Sequence, residues 1–260
     1  MTTDLVTQRD YLRPHLLALP IHRAMLRAVE ARLFAEIAPD LPEPIIDIGS
    51  GDGTFVQIAF PGKRVFGIDP IISDTHEAQR RGVYAGVAVS DGKALPFPDN
   101  HFASAFSNCV LEHVVPLDET LREVQRVLRP GGQFVASVVG NRFPHELLGT
   151  TVLNKLGFDG SAYGRWFNKL SYHHNTFSVP AWSQRFEQAG LEVVSWRPYF
   201  SFAALKLFDF SRLAIVIGAF ICFCLASTET CLGARDDHFT HVSRDFIPQL
   251  VGNPIFVCSM

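Results

Sequence analysis

Between residues 44 and 197, short apolar runs alternate with stretches whose apolar residues recur every three or four positions, the pattern of strands alternating with helices. The runs 44–48, 64–68, 83–89, 102–107, 133–139 and 191–197 read as strands, and 73–81, 118–128 and 181–189 as helices. A short helix is also expected after the first strand, closed by Pro61-Gly62. Such alternation predicts an α/β fold, a doubly wound and mostly parallel sheet with helices on both faces. Ahead of it, roughly 14–37 reads as helix, with Leu26, Val29, Leu33 and Ile37 as its apolar face and a break at Pro20. In the helix at 118–128, Leu117, Leu121, Val124 and Leu128 form the expected buried stripe, Asp118 is the expected N-cap, and Gly131-Gly132 stop it.

The rhythm fails twice. Residues 141–180 are an aromatic, His-rich insert with little strand signal. After 197 the chain becomes apolar without clear period, and Leu213 to Ala226 carries no charge. A membrane-crossing helix needs about 20 such residues, so this run is read as a buried helix. Phe200, Phe202, Phe208 and Phe210 suggest weak membrane contact, although Lys206 and Asp209 interrupt that face. Ile255-Phe256-Val257 reads as a final edge strand. The expected organisation is an N-terminal helical extension over 1–43, a sheet domain over 44–197 that carries the insert, and an apolar segment over 198–260 whose last strand would complete the sheet.

Composition narrows the function. The chain has 260 residues and a net charge of −3, which gives no electrostatic footprint for nucleic acid. Its 22 phenylalanines, concentrated in the second half, suit either an aromatic core or an apolar substrate cavity. Five cysteines, an odd number with no pair at metal spacing, and a polar, acidic start at Met1 to Asp10 point to a reduced cytoplasmic setting or one peripheral to a membrane. His238 and His241 with Asp236 and Asp237 are ligand types close in sequence, but no metal is expected there or elsewhere.

The chemistry centres on Asp47-Ile48-Gly49-Ser50-Gly51-Asp52-Gly53-Thr54-Phe55, which follows the first strand. Glycines there permit positive φ and close approach of backbone to a ligand. A carboxylate at Asp47 is wrong for cradling a pyrophosphate and suits a ligand that is cationic near the turn. Asp69 ends the second strand, where a carboxylate can accept from both hydroxyls of a ribose. Asp91 follows the third, where one can accept from an exocyclic amine such as that of adenine. Successive strand ends of an open α/β sheet are where ligands bind.

Four stretches together carry a family resemblance: Ile46 to Gly53; Gly67-Ile68-Asp69; Leu95-Pro96-Phe97-Pro98-Asp99-Asn100-His101-Phe102 with Val110-Leu111-Glu112-His113-Val114; and Glu123 to Gly132. The chain resembles the class I S-adenosylmethionine-dependent methyltransferases of the broad small-molecule group called type 11, over about residues 44–140 and more weakly over 178–197. The resemblance implies a Rossmann-like fold and S-adenosyl-L-methionine as cofactor. It implies that Asp47 and the backbone of Gly49, Ser50, Gly51 and Gly53 face the methionine moiety. Asp69 would hold the ribose, Asp91 the adenine amine, Gly92 and Lys93 would line the ring, and Ser107 and Asn108 would border the methyl group. Ser-Asn-Cys at 107–109 is not the signature of adenine-amine methyltransferases, which lowers nucleic acid further as a substrate. The family usually has Asp after Phe102, where this chain has Ala103.

The reaction so implied is in-line displacement of a methyl group onto a small-molecule acceptor, with oxygen or carbon favoured over nitrogen. A hydroxyl acceptor needs a base, for which His113, Tyr172 and His173 are the candidates, with His174 beside them. Phe143, Phe158, Tyr163, Trp166, Phe167 and Tyr172 make the insert the expected specificity element and favour an apolar, aromatic or lipid-linked acceptor. Two other readings stand beside this one: a non-catalytic S-adenosylmethionine-binding partner subunit, and a dinucleotide-dependent oxidoreductase. Asp47 and Thr54 count against the second.

Overall fold

The predicted alternation folds into one seven-stranded sheet. The computed structural model describes residues 9–229 and 254–260. Asp236, Asp237, His238 and His241 lie outside them. Helices α1 (Leu12–Leu16) and α2 (Ile21–Ile37) are separated at Pro20, and a 3-10 turn, Ala38–Asp40, leads into β1 (Ile45–Ile48). Then come α3 (Thr54–Ala59), β2 (Val65–Asp69), α4 (Ile72–Arg81), β3 (Gly86–Val89), β4 (Phe102–Asn108), α5 (Leu117–Val127) and β5 (Leu128–Ser137). The insert forms α6 (Phe143–Glu146), α7 (Leu148–Lys155) and α8 (Ser161–Leu170). It is followed by α9 (Val179–Gln188), β6 (Glu192–Arg197), the long α10 (Phe202–Glu229) and β7 (Ile255–Ser259).

Strand order is β3-β2-β1-β4-β5-β7-β6. The first five strands run parallel, and β7 is antiparallel to both of its neighbours. The order reverses between β1 and β4, the switch point at which open α/β sheets hold ligands, and the glycine turn leaves β1 there. One face of the sheet packs Ile46, Ile48, Phe102, Phe134 and Phe256 against Leu121, Val124, Trp182 and Phe186. The other packs Ile45, Val65, Phe106, Val135 and Ile255 against Phe34, Val56 and Phe60. Alternate residues of each strand serve opposite faces, and each such side chain contributes about 1.5–3 kcal/mol when fully buried.

The structure corrects several local expectations. Ile255–Ser259 is not an edge strand: it is hydrogen-bonded between β5 and β6, and β6 is the edge. In α2 the buried face is Ala24, Leu26, Arg27, Glu30, Ala31, Phe34 and Ala35, while Val29, Leu33 and Ile37 are only half-buried. Apolar spacing could not reveal this face, because an ion pair, Arg27 Nη1 to Glu30 Oε2 at 2.6 Å, lies within it. Asp118 is not an N-cap: α5 starts one residue earlier, and Asp118 accepts an ion-paired hydrogen bond from Arg185 at 2.6 Å.

The apolar C-terminal face also differs. Phe208 and Asp209 of α10 are buried, so Asp209 does not interrupt an exposed surface. Asp209 accepts hydrogen bonds from the Gly149 N–H at 3.0 Å and the Tyr163 hydroxyl at 2.7 Å, and it faces the buried Arg212. Arg212 in turn stacks over Phe167. This polar pair fixes the insert onto α10. Phe202 and Phe210 are exposed. Among the described residues no helix is long and apolar enough to cross a membrane.

Candidate active site

The turn after β1 takes the form its glycines permit. Gly49 has φ +85°, and a Cβ there would lie 2.4 Å from Val110, so the turn packs directly on the loop that follows β4. A Cβ at Gly51, at φ +52°, would meet nothing within 4 Å, so the turn is open on that side. The Gly51 N–H donates to Asp69 Oδ2 at 2.9 Å and the Ile71 N–H to Oδ1 at 2.8 Å. These bonds orient the carboxylate at the end of β2 and leave each oxygen a further lone pair. Burial raises the Asp69 pKa, and the two backbone N–H groups oppose the rise.

Asp47 is buried behind the turn and accepts the Tyr84 hydroxyl at 2.8 Å. Burial pushes its carboxyl up to about 8, the Tyr84 bond acts against this, and the neighbouring Asp69 adds to it. Tyr84, between α4 and β3, is a site residue that sequence reasoning missed. Its signal was weak, a single aromatic in a loop. The Ser50 hydroxyl is buried with no hydrogen-bond partner among the described residues. Positive-φ glycines and an orphaned hydroxyl on the turn, with the oriented carboxylate of Asp69 and the buried carboxyl of Asp47 beside it, fit the polar and cationic groups of S-adenosylmethionine.

Asp91 and Lys93 stand in solvent after β3 and pair with each other at 2.8 Å. The Lys93 N–H donates to Asp91 Oδ1, and the Gly92 N–H to the Ser90 hydroxyl, so this loop is folded on itself. The loop beyond it is held from α5: Glu123 accepts the Leu95 N–H at 2.7 Å, and Arg126 donates to the carbonyls of Leu95 and Phe97. The Glu123–Arg126 pair thus sets the path of the 91–97 stretch at the strand ends.

The side chains of Ser107 and Asn108 are used internally. Ser107 Oγ donates to the Ile48 carbonyl at 3.0 Å, tying β4 to β1. Asn108 donates to Glu30 at 3.0 Å and accepts from Ser137 at 2.7 Å. Glu30 also accepts from Cys109 and Tyr199, each at 3.1 Å. Both residues stand at the strand end next to the glycine turn, but as struts of it.

Of the three candidate bases, the structure brings His113 and His173 together, with ring centroids 5.3 Å apart. Tyr172 lies beside them, exposed, and contributes its carbonyl to His113 Nδ1 at 3.1 Å. Cys109 and Tyr172, which lead into the two loops, both adopt left-handed backbone, at φ 52° and 53°, an uncommon conformation for such side chains. Burial lowers the pKa of His113, and lowers that of His173 to about 3 with help from the neighbouring His113 and His174. Glu112, fully buried beside them, has its carboxyl raised to about 8 by burial. A cleft of about 590 Å³ opens alongside, lined by Trp166, Asn168, Lys169, Leu170, Tyr172, His173 and His174.

The seven-stranded topology with an antiparallel β7, and a glycine turn at its switch point, define the class I methyltransferase fold. Residues 46–136 match the family model described as methyltransferase domain. Over these residues, about a third of its length, the chain is similar to methyltransferase domains. It is 30% identical over 131 residues to the malonyl-(acyl-carrier protein) O-methyltransferase of Halorhodospira halophila, covering 47% of this chain and 44% of that protein. It is 36% identical over 102 residues to the demethylmenaquinone methyltransferase of Symbiobacterium thermophilum, covering 35% and 40%. The chain thus spans less than half the length of these curated relatives. Among solved structures, it superposes on the [4+2]-cyclase SpnF with a TM-score of 0.57 at 20% identity, over 89% of this chain and 81% of that one. That likeness is one of fold.

Proposed function

We propose that the protein transfers a methyl group from S-adenosylmethionine to a small-molecule acceptor, apolar, aromatic or lipid-linked, at oxygen or carbon. The observation that carries this reading is the carboxylate of Asp69, held by the Gly51 and Ile71 N–H groups at the strand end beside an open glycine turn. Bound there, the cofactor supplies an electrophilic methyl group on a sulfonium. In this reading Asp69 takes the ribose hydroxyls, and Asp47 with the Gly49–Gly53 backbone faces the methionine end. Asp91, Gly92 and Lys93 lie at the adenine. Ser107 and Asn108 hold the end of β4 in place next to the methyl group. The acceptor enters by the cleft whose exposed Trp166, Leu170 and Tyr172 offer apolar surface. Alignment of the two reactants and exclusion of water are the protein's main contributions.

Calorimetric titration with S-adenosylhomocysteine, then with NAD, tests the cofactor half, with Asp69→Ala as control. Saturable binding of the former alone, lost in the variant, supports it; binding of NAD instead would overturn it. Cofactor-dependent methylation of a metabolite extract tests the acceptor half, and an inactive protein that still binds S-adenosylhomocysteine would be a binding subunit instead.

A further inference from the structure

Glu112, His113 and His173 present ligand atoms that all lie within 4.8 Å of one another. Their free valences are what the fold leaves unexplained. Both Glu112 oxygens are buried, with only the Cys109 thiol and the residue's own backbone N–H near enough to bond weakly, and Nε2 of each histidine is buried with no hydrogen-bond partner among the described residues. Native proteins rarely leave such groups unpaired without a reason. The other ring nitrogens are already fixed: His113 Nδ1 donates to the Tyr172 carbonyl at 3.1 Å and His173 Nδ1 to Asn168 Oδ1 at 3.1 Å. A donating Nδ1 leaves the lone pair on Nε2, which is how outer-shell partners prepare a histidine ligand.

The two loops that carry these residues are joined by design of the backbone. The Glu112 carbonyl accepts the N–H groups of both His174 and Asn175. The Asn175 side chain donates to the carbonyls of Leu111 and Val114, each at 2.8 Å. The cluster is therefore held together before anything binds. We propose that Glu112, His113 and His173 form a site for a divalent transition-metal cation, with open coordination positions for an oxygen of the methyl acceptor. Two imidazoles and one carboxylate are a ligand set for iron, manganese, cobalt or zinc rather than for calcium or magnesium. Metal–ligand distances of about 2.1 Å place two ligands at most about 4.2 Å apart, so the side chains close slightly on the ion.

The assignment of the acceptor atom rests on the proposed methyl transfer; cation binding does not. On the ion, a hydroxyl of the acceptor gives up its proton to water. Its oxygen then forms the bond to the methyl carbon, and the carbon–sulfur electron pair stays on sulfur as S-adenosylhomocysteine leaves.

The test uses the full chain, stripped with chelator and titrated with Co2+ followed by visible absorption. A single ion with ligand-field bands of a nitrogen–oxygen site is expected, displaced by Zn2+. Glu112→Gln and His173→Gln are each expected to weaken Co2+ by more than the 10–100-fold that a lost outer-shell bond costs, while S-adenosylhomocysteine affinity stays within about twofold, which shows that the variants fold. Asp69→Ala is expected to keep Co2+ binding while losing S-adenosylhomocysteine, which separates the two proposals. Absence of saturable Co2+ binding, or binding unchanged in both ligand variants, overturns the site.

Discussion

Asp47 is 3% exposed, and burial pushes its carboxyl up to about 8. At pH 7 such a group is about 90% protonated. A ligand ammonium facing it favours the carboxylate and lowers the pKa by about 2 units, within the range for an adjacent opposite charge. Binding then releases about 0.8 proton at pH 7, and affinity rises about 50-fold between about pH 6 and pH 9. S-adenosylhomocysteine, which keeps the ammonium, is the probe. Calorimetry in two buffers of different ionisation heat reads the proton count, and a pH series reads the affinity. Asp47→Asn has no proton to release, so its profile should be flat. Tyr84→Phe removes the bond that opposes the rise in the Asp47 pKa, so its profile should shift to higher pH.

The same group acts on folding in the opposite sense. Its pKa is raised in the folded chain above the ordinary value of 3.8, so its stabilising contribution is complete below that pH and is lost as the pH climbs toward about 8. Asp47→Asn is therefore expected to melt higher than wild type at pH 8 while binding more weakly, stability exchanged for function. A wild-type affinity that does not change with pH, or an Asp47→Asn variant that keeps the slope, refutes the reasoning.

Three further substitutions probe the frame around the site. Glu30→Ala leaves the buried Arg27 guanidinium without its carboxylate and should cost about 3–5 kcal/mol by urea denaturation, with Glu30→Leu plus Arg27→Met recovering only part of it, because Asn108 and Tyr199 also lose their acceptor. Asp209→Ala, which removes the acceptor for Gly149 and Tyr163 beside a buried arginine, should cost about 3 kcal/mol and make 141–180 the first region cut in limited proteolysis. Gly49→Ala puts a Cβ 2.4 Å from Val110 at positive φ, so S-adenosylhomocysteine affinity should fall at least about tenfold, with a backbone cost of about 1–2 kcal/mol. Val110→Ala in the same chain should restore part of that binding.

How much of this was legible depended on whether the signal was local. The alternation from 44 to 197 placed β1, β2 and β4 close to their observed bounds, because buried parallel strands are written as short apolar runs. But β5 begins at Leu128, so Gly131-Gly132 lie within it rather than stopping the helix before it, and the half-exposed β3 begins only at Gly86. The glycine turn and Asp69 were legible for a similar reason: a positive-φ turn and a strand end are set by neighbours in sequence. Polar groups paired across the fold were not. The α2 face was misread because Arg27 and Glu30 neutralise each other inside it, and Asp209 looked like a break in an apolar surface because its partners, Gly149 and Tyr163, are about 50 residues away. Of the insert's aromatics, Phe143 and Phe167 are buried in a cluster shared with Leu26 of α2 and with Leu205 and Phe208 of α10, while Phe158, Trp166 and Tyr172 are exposed. Composition cannot separate those two fates.

The loop after β4 shows why the acceptor side resisted sequence reasoning most. Asn108 and Cys109 are held by Glu30 of α2, Val110 closes on Gly49, and Glu112 binds the backbone of His174 and Asn175. Five consecutive residues thus connect the N-terminal helix, the cofactor turn and the insert. None of these contacts leaves a periodic trace, since the segment turns from one element to the next within a few residues. The motif at 110–114 was visible as a string, but its nearness to His173, 60 residues later, was not. Through this one short segment α2 is in contact with the loops of the proposed site, so the helix ahead of the sheet helps to hold them in place.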